Sequence, residues 1–511
     1  MDINYIRTMF QTIIIIVVLV FSLFYLYLRR NFSYWKDRGV PYEEPNILLG
    51  NVSFIMRKSF YDFFYELSIK HPRDYVGIYL GWKPTLLVQS PDLARKVLVK
   101  EFDTFQNRLV FASSSADPLG SLNLFTLKNP LWSEMRHEIS PMFTSTRLKY
   151  VTELMNNNAK ELIMKIKRDH IDGEVPVNLK ELFSMYTSDI VGSTAFGIKV
   201  SALNDPNNPL WFITKNMVKW TFRRGIEFTL IFFVPFLFKK VHCCRLKFFS
   251  NAASEYIKKL FWDVVKERKT VEITGEEKDL VNHLLKLKEN LKLPAGSDSQ
   301  LADNLMLAQA GVFILGSIET SSTTLSYFLH ELAHHPDIQE KLYEEINEAV
   351  QRTGRDTLDY EDLLDLNYLS ACMLETLRKH PPVPHLDRVC NKTCKLTDDL
   401  SIEAGTPVWV NVLALHHDPK NFPEPQKWKP ERMMGVQETD HLGFSFLPFG
   451  TGPRFCIGKR LGAMQIRAAV AQVILKYKIL PDPTEPYEVK SDPYSALLAP
   501  LSGIKVIFEL R

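Results

Sequence analysis

Phe449-Gly450-Thr451-Gly452-Pro453-Arg454-Phe455-Cys456-Ile457-Gly458 is a glycine- and proline-rich loop with one cysteine that runs directly into a helix-compatible segment. Its glycines can turn the backbone tightly and bring amides close to the sulfur. Arg454 is a fixed positive charge two residues from Cys456, and Phe449 and Phe455 can keep water off one side. Seen in isolation, a cysteine in such a turn is ordinarily a buried free thiol. As a metal ligand, a single soft sulfur with no second Cys or His at zinc-finger spacing suits neither structural zinc nor an iron-sulfur cluster. It suits the axial position of a haem, where a thiolate pushes electron density toward bound oxygen.

The whole run, aromatic-x-x-Gly-x-Arg-x-Cys-x-Gly, resembles the haem-binding loop of cytochrome P450s, and four earlier places in the chain carry the same resemblance in the same order. Trp132-x-x-x-Arg136 resembles the pair that hydrogen-bonds the haem propionates. Gly316-Ser317-Ile318-Glu319-Thr320-Ser321 resembles the oxygen-binding groove motif, with Ser317 where the family has its central glycine. Serine is small and can bond back to its own helix, so the local distortion of the groove is expected to persist in altered form. Glu375-x-x-Arg378 and Pro430-Glu431-Arg432 resemble the family's structural network, with Met433 where Phe is common. Alone, Glu375 and Arg378 would read as an exposed ion pair. Through the resemblance, Glu375, Arg378 and Arg432 are assigned to a buried network that locks the cysteine loop. A basic residue past this helix often reaches a propionate in the family, and the spacing fits His385. A surface histidine fits the local sequence equally well.

The chain has 511 residues, 46% of them hydrophobic and 24% charged, enough to bury a large core. A net charge of +3 gives no argument for nucleic acid, and no aromatic-interleaved basic tract revives one. The six cysteines, at 243, 244, 372, 390, 394 and 456, are spaced unlike a disulfide framework, which favours a reducing compartment. Residues 10–28 form one apolar run, about 28 Å long as a helix. Arg29 and Arg30 close it, Lys36 and Arg38 follow, and only Arg7 stands on the other side. That charge bias places the rest of the chain in the cytosol. Residues 1–30 are therefore read as a membrane anchor and 31–511 as the catalytic domain.

Further elements follow from periodicity. Residues 54–70 read as a helix, 75–80 and 85–89 as a hairpin, and 105–129 as a long irregular loop, which the resemblance places over the substrate cavity. Residues 228–238 read as an apolar flap that either dips into the bilayer surface or lines a route for hydrophobic ligands, with Lys239 and Lys240 at headgroup level; plain core packing is the alternative. Residues 301–335, mostly apolar or small, must run through the core. The helix after Gly458 puts its N-terminus beside the thiolate, and Lys459, Arg460 and Arg467 make that side basic, a face for an acidic electron donor. The final stretch reads as strands around residues 492–498, whose apolar tip resembles the last cavity-lining loop of the family. The expected class is mainly α with small β regions, the cytochrome P450 fold behind an N-terminal transmembrane helix.

The resemblance implies a haem b enzyme that inserts one atom of O2 into a hydrophobic small molecule. Cys456 would be the axial iron ligand within a loop that includes Phe449. Trp132, Arg136, His385 and Arg454 would hold the propionates, and Thr320 with Glu319 would deliver protons. No Gly-x-Gly-x-x-Gly fingerprint is present, so electrons should come from NADPH through a separate cytochrome P450 reductase, with cytochrome b5 as a further partner, at the endoplasmic reticulum membrane. The nearest group is the insect family 6 branch of microsomal P450s, on residues 316–324 and Trp428-Lys429-Pro430-Glu431-Arg432-Met433. Detoxification of plant toxins or other xenobiotics is expected by family analogy. Hormone, terpenoid or fatty-acid oxidation, a reductase-independent isomerase or dehydratase, and a non-enzymatic haem ligand-binding protein are the alternatives.

Overall fold

A computed structural model describes residues 3–55, 57–171, 175–205, 207–217, 219–235, 246–270, 279–290, 300–437 and 440–511. Its axis is the helix Leu301–His334, whose 34 residues span about 50 Å. Side chains from Leu305 to Ala333 are buried on most of its faces, as expected for a helix without a polar stripe. Two apolar cores meet on it. The Leu305–Ile318 half packs with Trp132, Phe196, Phe249 and Ile257, and the Leu325–Ala333 half packs with residues of helices Leu179–Ala195, Asn367–Lys379 and Lys459–Lys476. The polar stretch Glu319 to Thr324 lies at the change from one core to the other.

The hairpin forms as Tyr75–Leu80 with Lys83–Val88, and two distant strands complete its sheet: Pro407–Asn411 runs parallel to Lys83–Val88, and His385–Val389 pairs antiparallel to Pro407–Asn411. That pairing carries the chain after the Glu375 helix back beside the N-terminal hairpin. A second sheet joins Val177–Asn178, Lys505–Leu510 and Tyr477–Pro481. The class is mainly helical with small sheets, as expected.

Three local expectations change. The helix expected over 54–70 starts at Phe60, because Ser59 accepts the Asp62 amide at 3.1 Å and sets the N-terminus there. Residues 492–498 form no strand. Asp492 and Ser495 satisfy the amides of Tyr494 and Leu497 with their own side chains, at 2.8 and 3.1 Å, and a single bridge between Ser491 and Pro500 closes the loop. The apolar flap falls partly on the helix Phe222–Phe232, while residues 236–245, with Lys239 and Lys240, lie outside the described residues.

The helix Ile3–Phe32 keeps the apolar side chains from Phe10 to Tyr27 exposed, and the segment Arg7–Phe32 is long and apolar enough to span a bilayer. Beyond it the chain enters the fold at once. Tyr79 donates its hydroxyl to the Phe32 carbonyl at 2.8 Å, and fully buried Trp35 donates to the Ile78 carbonyl at 3.1 Å. Gly77 admits that indole, since a Cβ there would lie 2.4 Å from Trp35 Cγ. Residues 41–51 run along the hairpin edge through bridges Tyr42 to Gly77 and Gly50 to Leu80, so the passage from anchor to domain is braced by the sheet as well as by its prolines. Trp35→Ala should lower stability by about 3–5 kcal/mol in urea unfolding of the detergent-solubilised protein; a change within about 0.5 kcal/mol would show that the indole does not brace this junction.

Candidate active site

In the loop 449–458, the Cys456 amide donates to the Phe449 carbonyl at 2.8 Å, and Gly450 and Gly452 have φ of 68° and 69°. Gly452 is also required by space, since a Cβ would sit 2.0 Å from the Leu98 carbonyl oxygen. Cys456 keeps accessible surface within the loop. Burial pushes its thiol pKa up. The Gly458 N–H and the charges of Arg136, Lys459 and Arg108 oppose that and favour the thiolate. The helix Lys459–Lys476 starts directly beyond.

Behind the loop, Arg378 makes two 2.8 Å bonds to the Glu375 carboxylate, both residues are fully buried, and Arg432 adds a third bond at 3.0 Å. The same guanidiniums donate to the carbonyls of His416, Pro425 and Pro423, each at 2.9 Å, fastening the coil that precedes the loop. His416 carries the grip forward. Its Nε2 accepts the Leu447 amide at 2.8 Å, so Nδ1 holds the proton and donates to the Arg378 carbonyl at 3.1 Å. Nothing in its local sequence marked His416, because its partners lie more than 30 residues away on either side.

At the edge of the site Arg454 lies 4.0 Å from the centre of the Trp132 ring and Arg136 lies 4.5 Å from that of Phe455. Arg454 donates to the carbonyls of Gln106 at 2.6 Å and Leu127 at 3.1 Å, while its Nη1 has no partner among the described residues. Two residues absent from the sequence reading join it. Arg108 pairs with Asp387 at 2.7 Å, and buried Arg388 has an unpartnered Nε. Burial and then repulsion from Arg108 and Arg388 lower the Arg454 pKa to about 8, and burial and then Arg108 lower that of Arg388 to about 9, with Asp387 acting in the other direction. His385 is held by the rings of Trp409 at 4.7 Å, Phe64 at 4.9 Å and Phe233 at 5.9 Å, with Nδ1 unpartnered. Burial lowers its pKa to about 4, so near pH 7 it is a neutral ring.

In the core helix, Thr320 donates its hydroxyl to the Gly316 carbonyl at 2.7 Å, and a Cβ at Gly316 would meet nothing within 4 Å. The helix is unbroken α through Ser317, so the expected distortion is absent; the back-bond is made by Thr320, and the Ser317 carbonyl takes a 3.5 Å bond from Gln465. Glu319 is 2% exposed and pairs through Oε1 with Lys180 at 3.1 Å, leaving Oε2 without a partner among the described residues. Lys180 also donates to the hydroxyls of Ser322 and Thr323, each at 2.8 Å. Burial lowers its pKa, opposed by Glu319. On the cysteine side, Arg467 is buried and bonded to Ser370 at 3.0 Å, so it does not add to a basic docking face as expected; Lys459 and Arg460 remain partly exposed there.

A lone cysteine in a glycine-bent loop, a neighbouring group of buried guanidiniums and a hydroxyl-bearing core helix define a haem-thiolate centre. The Cytochrome P450 family profile matches residues 40–508. Cytochrome P450 6k1 of Blattella germanica is 33% identical over 503 residues, covering 95% of this chain and 94% of that protein. Probable cytochrome P450 6a20 of Drosophila melanogaster is 36% identical over 491 residues, covering 94% and 95%, and Cytochrome P450 9c1 of the same organism is 32% identical over 503 residues, covering 94% and 95%. The chain belongs to the cytochrome P450 family. It is a monooxygenase of the type shared by the insect family 6 and family 9 proteins, with a haem-thiolate cofactor and a membrane-anchoring N-terminal helix.

The residues present fit that cofactor. Cys456 offers one sulfur with charges that favour its anion. Arg454 is surrounded by Arg108, Arg136 and Arg388 with Asp387 as the carboxylate among them, so the cluster carries an excess of positive charge suited to two propionates.

Glu375→Gln should cost about 3–5 kcal/mol of stability and most haem retention, because it leaves Arg378 and Arg432 buried against a neutral amide; full haem content after mild urea treatment would contradict this. His416 gives a pH signature. Burial, then the Arg378 charge, lowers its pKa from 6.5 to about 3. The unfolded chain therefore takes up this proton first, so the stability His416 contributes is complete above pH 6.5 and declines below it, by about 2 kcal/mol at pH 5. Urea unfolding of the native protein and His416→Gln between pH 7.5 and 5 should give a shallower loss for the variant; equal slopes would exclude His416 as the cause.

Proposed function

We propose that this enzyme inserts one oxygen atom from O2 into small hydrophobic molecules, chiefly plant toxins and other xenobiotics, at the endoplasmic reticulum membrane, with residues 1–30 as anchor and 31–511 as catalytic domain. The reading is carried by the core helix, where buried Glu319, with one oxygen that has no partner among the described residues, directly precedes Thr320 in the chain. A buried acid in an apolar helix is costly unless used, and Glu319 is kept there by Lys180.

A thiolate-ligated haem supplies the reductive activation of dioxygen. Cys456 ligates it. Arg454, Trp132 and Arg136, together with Arg108 and Arg388, hold the propionate side, and the neutral His385 ring offers Nδ1 as a hydrogen-bonding group on that side. Phe449 shields the sulfur. The Thr320 hydroxyl, already donating to Gly316, accepts and passes a proton at Oγ1. Glu319, paired with the Lys180 ammonium, brings protons to it. The apolar surroundings exclude water and select hydrophobic substrates. Electrons come from NADPH through a separate reductase docking near Lys459 and Arg460, with cytochrome b5 as a second donor.

The test is a product screen with the purified enzyme, NADPH-cytochrome P450 reductase and lipid, across plant toxins, insecticides, fatty acids and terpenoid hormones. Oxygenated xenobiotics are expected; products only from hormones or fatty acids would replace the detoxification reading, and no oxygenated product would overturn it. Cys456→Ser should abolish the thiolate spectrum and all oxidation. Thr320→Ala should keep haem but lower product per NADPH roughly tenfold or more, the balance appearing as peroxide; intact coupling would remove Thr320 from proton delivery.

A further inference from the structure

Cys390 and Cys394 stand apart from the catalytic groups with their sulfurs 3.9 Å from each other. Both are free thiols; Cys390 is fully buried and Cys394 is partly exposed. The backbone fixes each of them. The Cys390 amide donates to the Thr406 carbonyl at 2.9 Å, its carbonyl accepts the Gly405 amide at 2.7 Å, and the Asn391 amide donates to the Thr104 carbonyl at 2.8 Å. Four residues on, Cys394 pairs with Ile402 in the short ladder of Cys394–Lys395 with Ser401–Ile402. Lys96 clamps the chain just past it, donating to the carbonyls of Lys395 at 3.0 Å and Leu396 at 2.9 Å. Residues 390–394 thus leave and rejoin the same segment, 402–406, and the two sulfurs meet inside that loop.

The two thiols are unequal. Cys390 donates to the Lys392 carbonyl at 2.9 Å, and burial, followed by its neighbour Cys394, pushes its pKa up to about 12. Burial raises the Cys394 thiol as well, but its hydrogen bond with Cys390 and the charges of Lys96 and Lys392 oppose the rise. Cys394 is therefore the sulfur that an incoming oxidant meets, and Cys390 stands behind it.

We propose that Cys390 and Cys394 are a modification site that closes into a reversible disulfide by exchange with a small disulfide such as glutathione disulfide. The Cys394 thiolate attacks one sulfur of glutathione disulfide, breaking its S–S bond and releasing one glutathione thiolate. Cys390 loses its proton and attacks the Cys394 sulfur, which expels the second glutathione thiolate and forms the 390–394 bond. The protein gives up two electrons and two protons, and the glutathione disulfide becomes two glutathione thiols. The sulfurs close from 3.9 Å to a bond of about 2.05 Å, and Cys390 gives up its bond to the Lys392 carbonyl. A reducing compartment keeps the pair open, and closure follows oxidation of the glutathione pool. The pair lies directly after His385–Val389, the strand of Asp387 and Arg388, whose last amide donates to the Asn107 carbonyl at 2.8 Å. Closure ties down the end of that strand, whichever substrate the enzyme oxidises.

The experiment equilibrates the full-length haem-loaded protein, in lipid nanodiscs, with graded mixtures of reduced glutathione and glutathione disulfide. Samples are acid-quenched, alkylated and mapped by mass spectrometry, and hydrogen-deuterium exchange is followed over residues 387–396. A peptide joined at 390 and 394 should rise from about one-tenth to about nine-tenths of the protein over a hundredfold fall in the squared thiol to disulfide ratio. Exchange at residues 390–395 should slow roughly fivefold as it forms, and dithiothreitol should restore the starting rate. Cys390→Ser should stop at the intermediate, with one glutathione held on Cys394. In Cys394→Ser, buried Cys390 should stay free and exchange should not respond to the mixture. Absence of the joined peptide at every ratio, unaltered exchange when it forms, or glutathione on Cys390 instead of Cys394 would overturn the proposal. If Cys390→Ser does not fold, the native protein and Cys394→Ser decide, since slowing of exchange in Cys394→Ser would remove the pair as its cause.

Discussion

Glu375 is a carboxylate with no exposure to solvent, and such a charge survives only when it is matched and its lone pairs are used. Arg378 and Arg432 match it, and the spare donors of both reach carbonyls of the coil at 416–427. Each bond that satisfies the acid therefore also positions the backbone leading to Cys456. The neutral His416 ring extends the arrangement to the Leu447 amide at the threshold of the loop. The thiolate mount is held by electrostatics transmitted through backbone, not by contacts to Cys456 itself.

The two sides of the site solve opposite charge problems. Around Arg454 positive charge is in excess, and Arg454 and Arg388 keep nitrogens without a partner among the described residues. Their mutual repulsion would be offset by carboxylates of a bound cofactor. In the groove the acid is paired by a single buried lysine and keeps one free oxygen. Both places withhold part of the usual pairing, and both lie where chemistry or cofactor binding needs an available group. Residues 247–249 are held differently, since Asp117 and Arg224 spend their capacity on backbone groups there.

Much of this was legible because it is local. Helix 301–334 is mostly apolar or small, the hairpin alternates, and Cys456, Thr320, Glu375 and Arg378 sit in short motifs whose spacing is the signal. What escaped is what long-range packing decides. Arg108 and Arg388 are ordinary charges in sequence and meet Arg454 only because sheet pairing returns residues 385–389 to the N-terminal part of the chain. Arg467 belongs to a basic series by spacing, yet its helix turns it inward to Ser370. Residues 492–498 are apolar enough for a strand, but side-chain bonds to nearby amides close them into a loop.

The amino-acid sequence by itself determined the family, the apolar N-terminal helix, the cysteine loop and the long core helix, since motif spacing and apolar periodicity are properties of neighbouring residues. Only the tertiary structure decided which charges share the site, which histidine stays neutral to brace the cysteine loop, and which lysine faces Glu319. Those are matters of desolvation and distance between segments tens to hundreds of residues apart, and burial, not sequence proximity, sets the strength of each interaction.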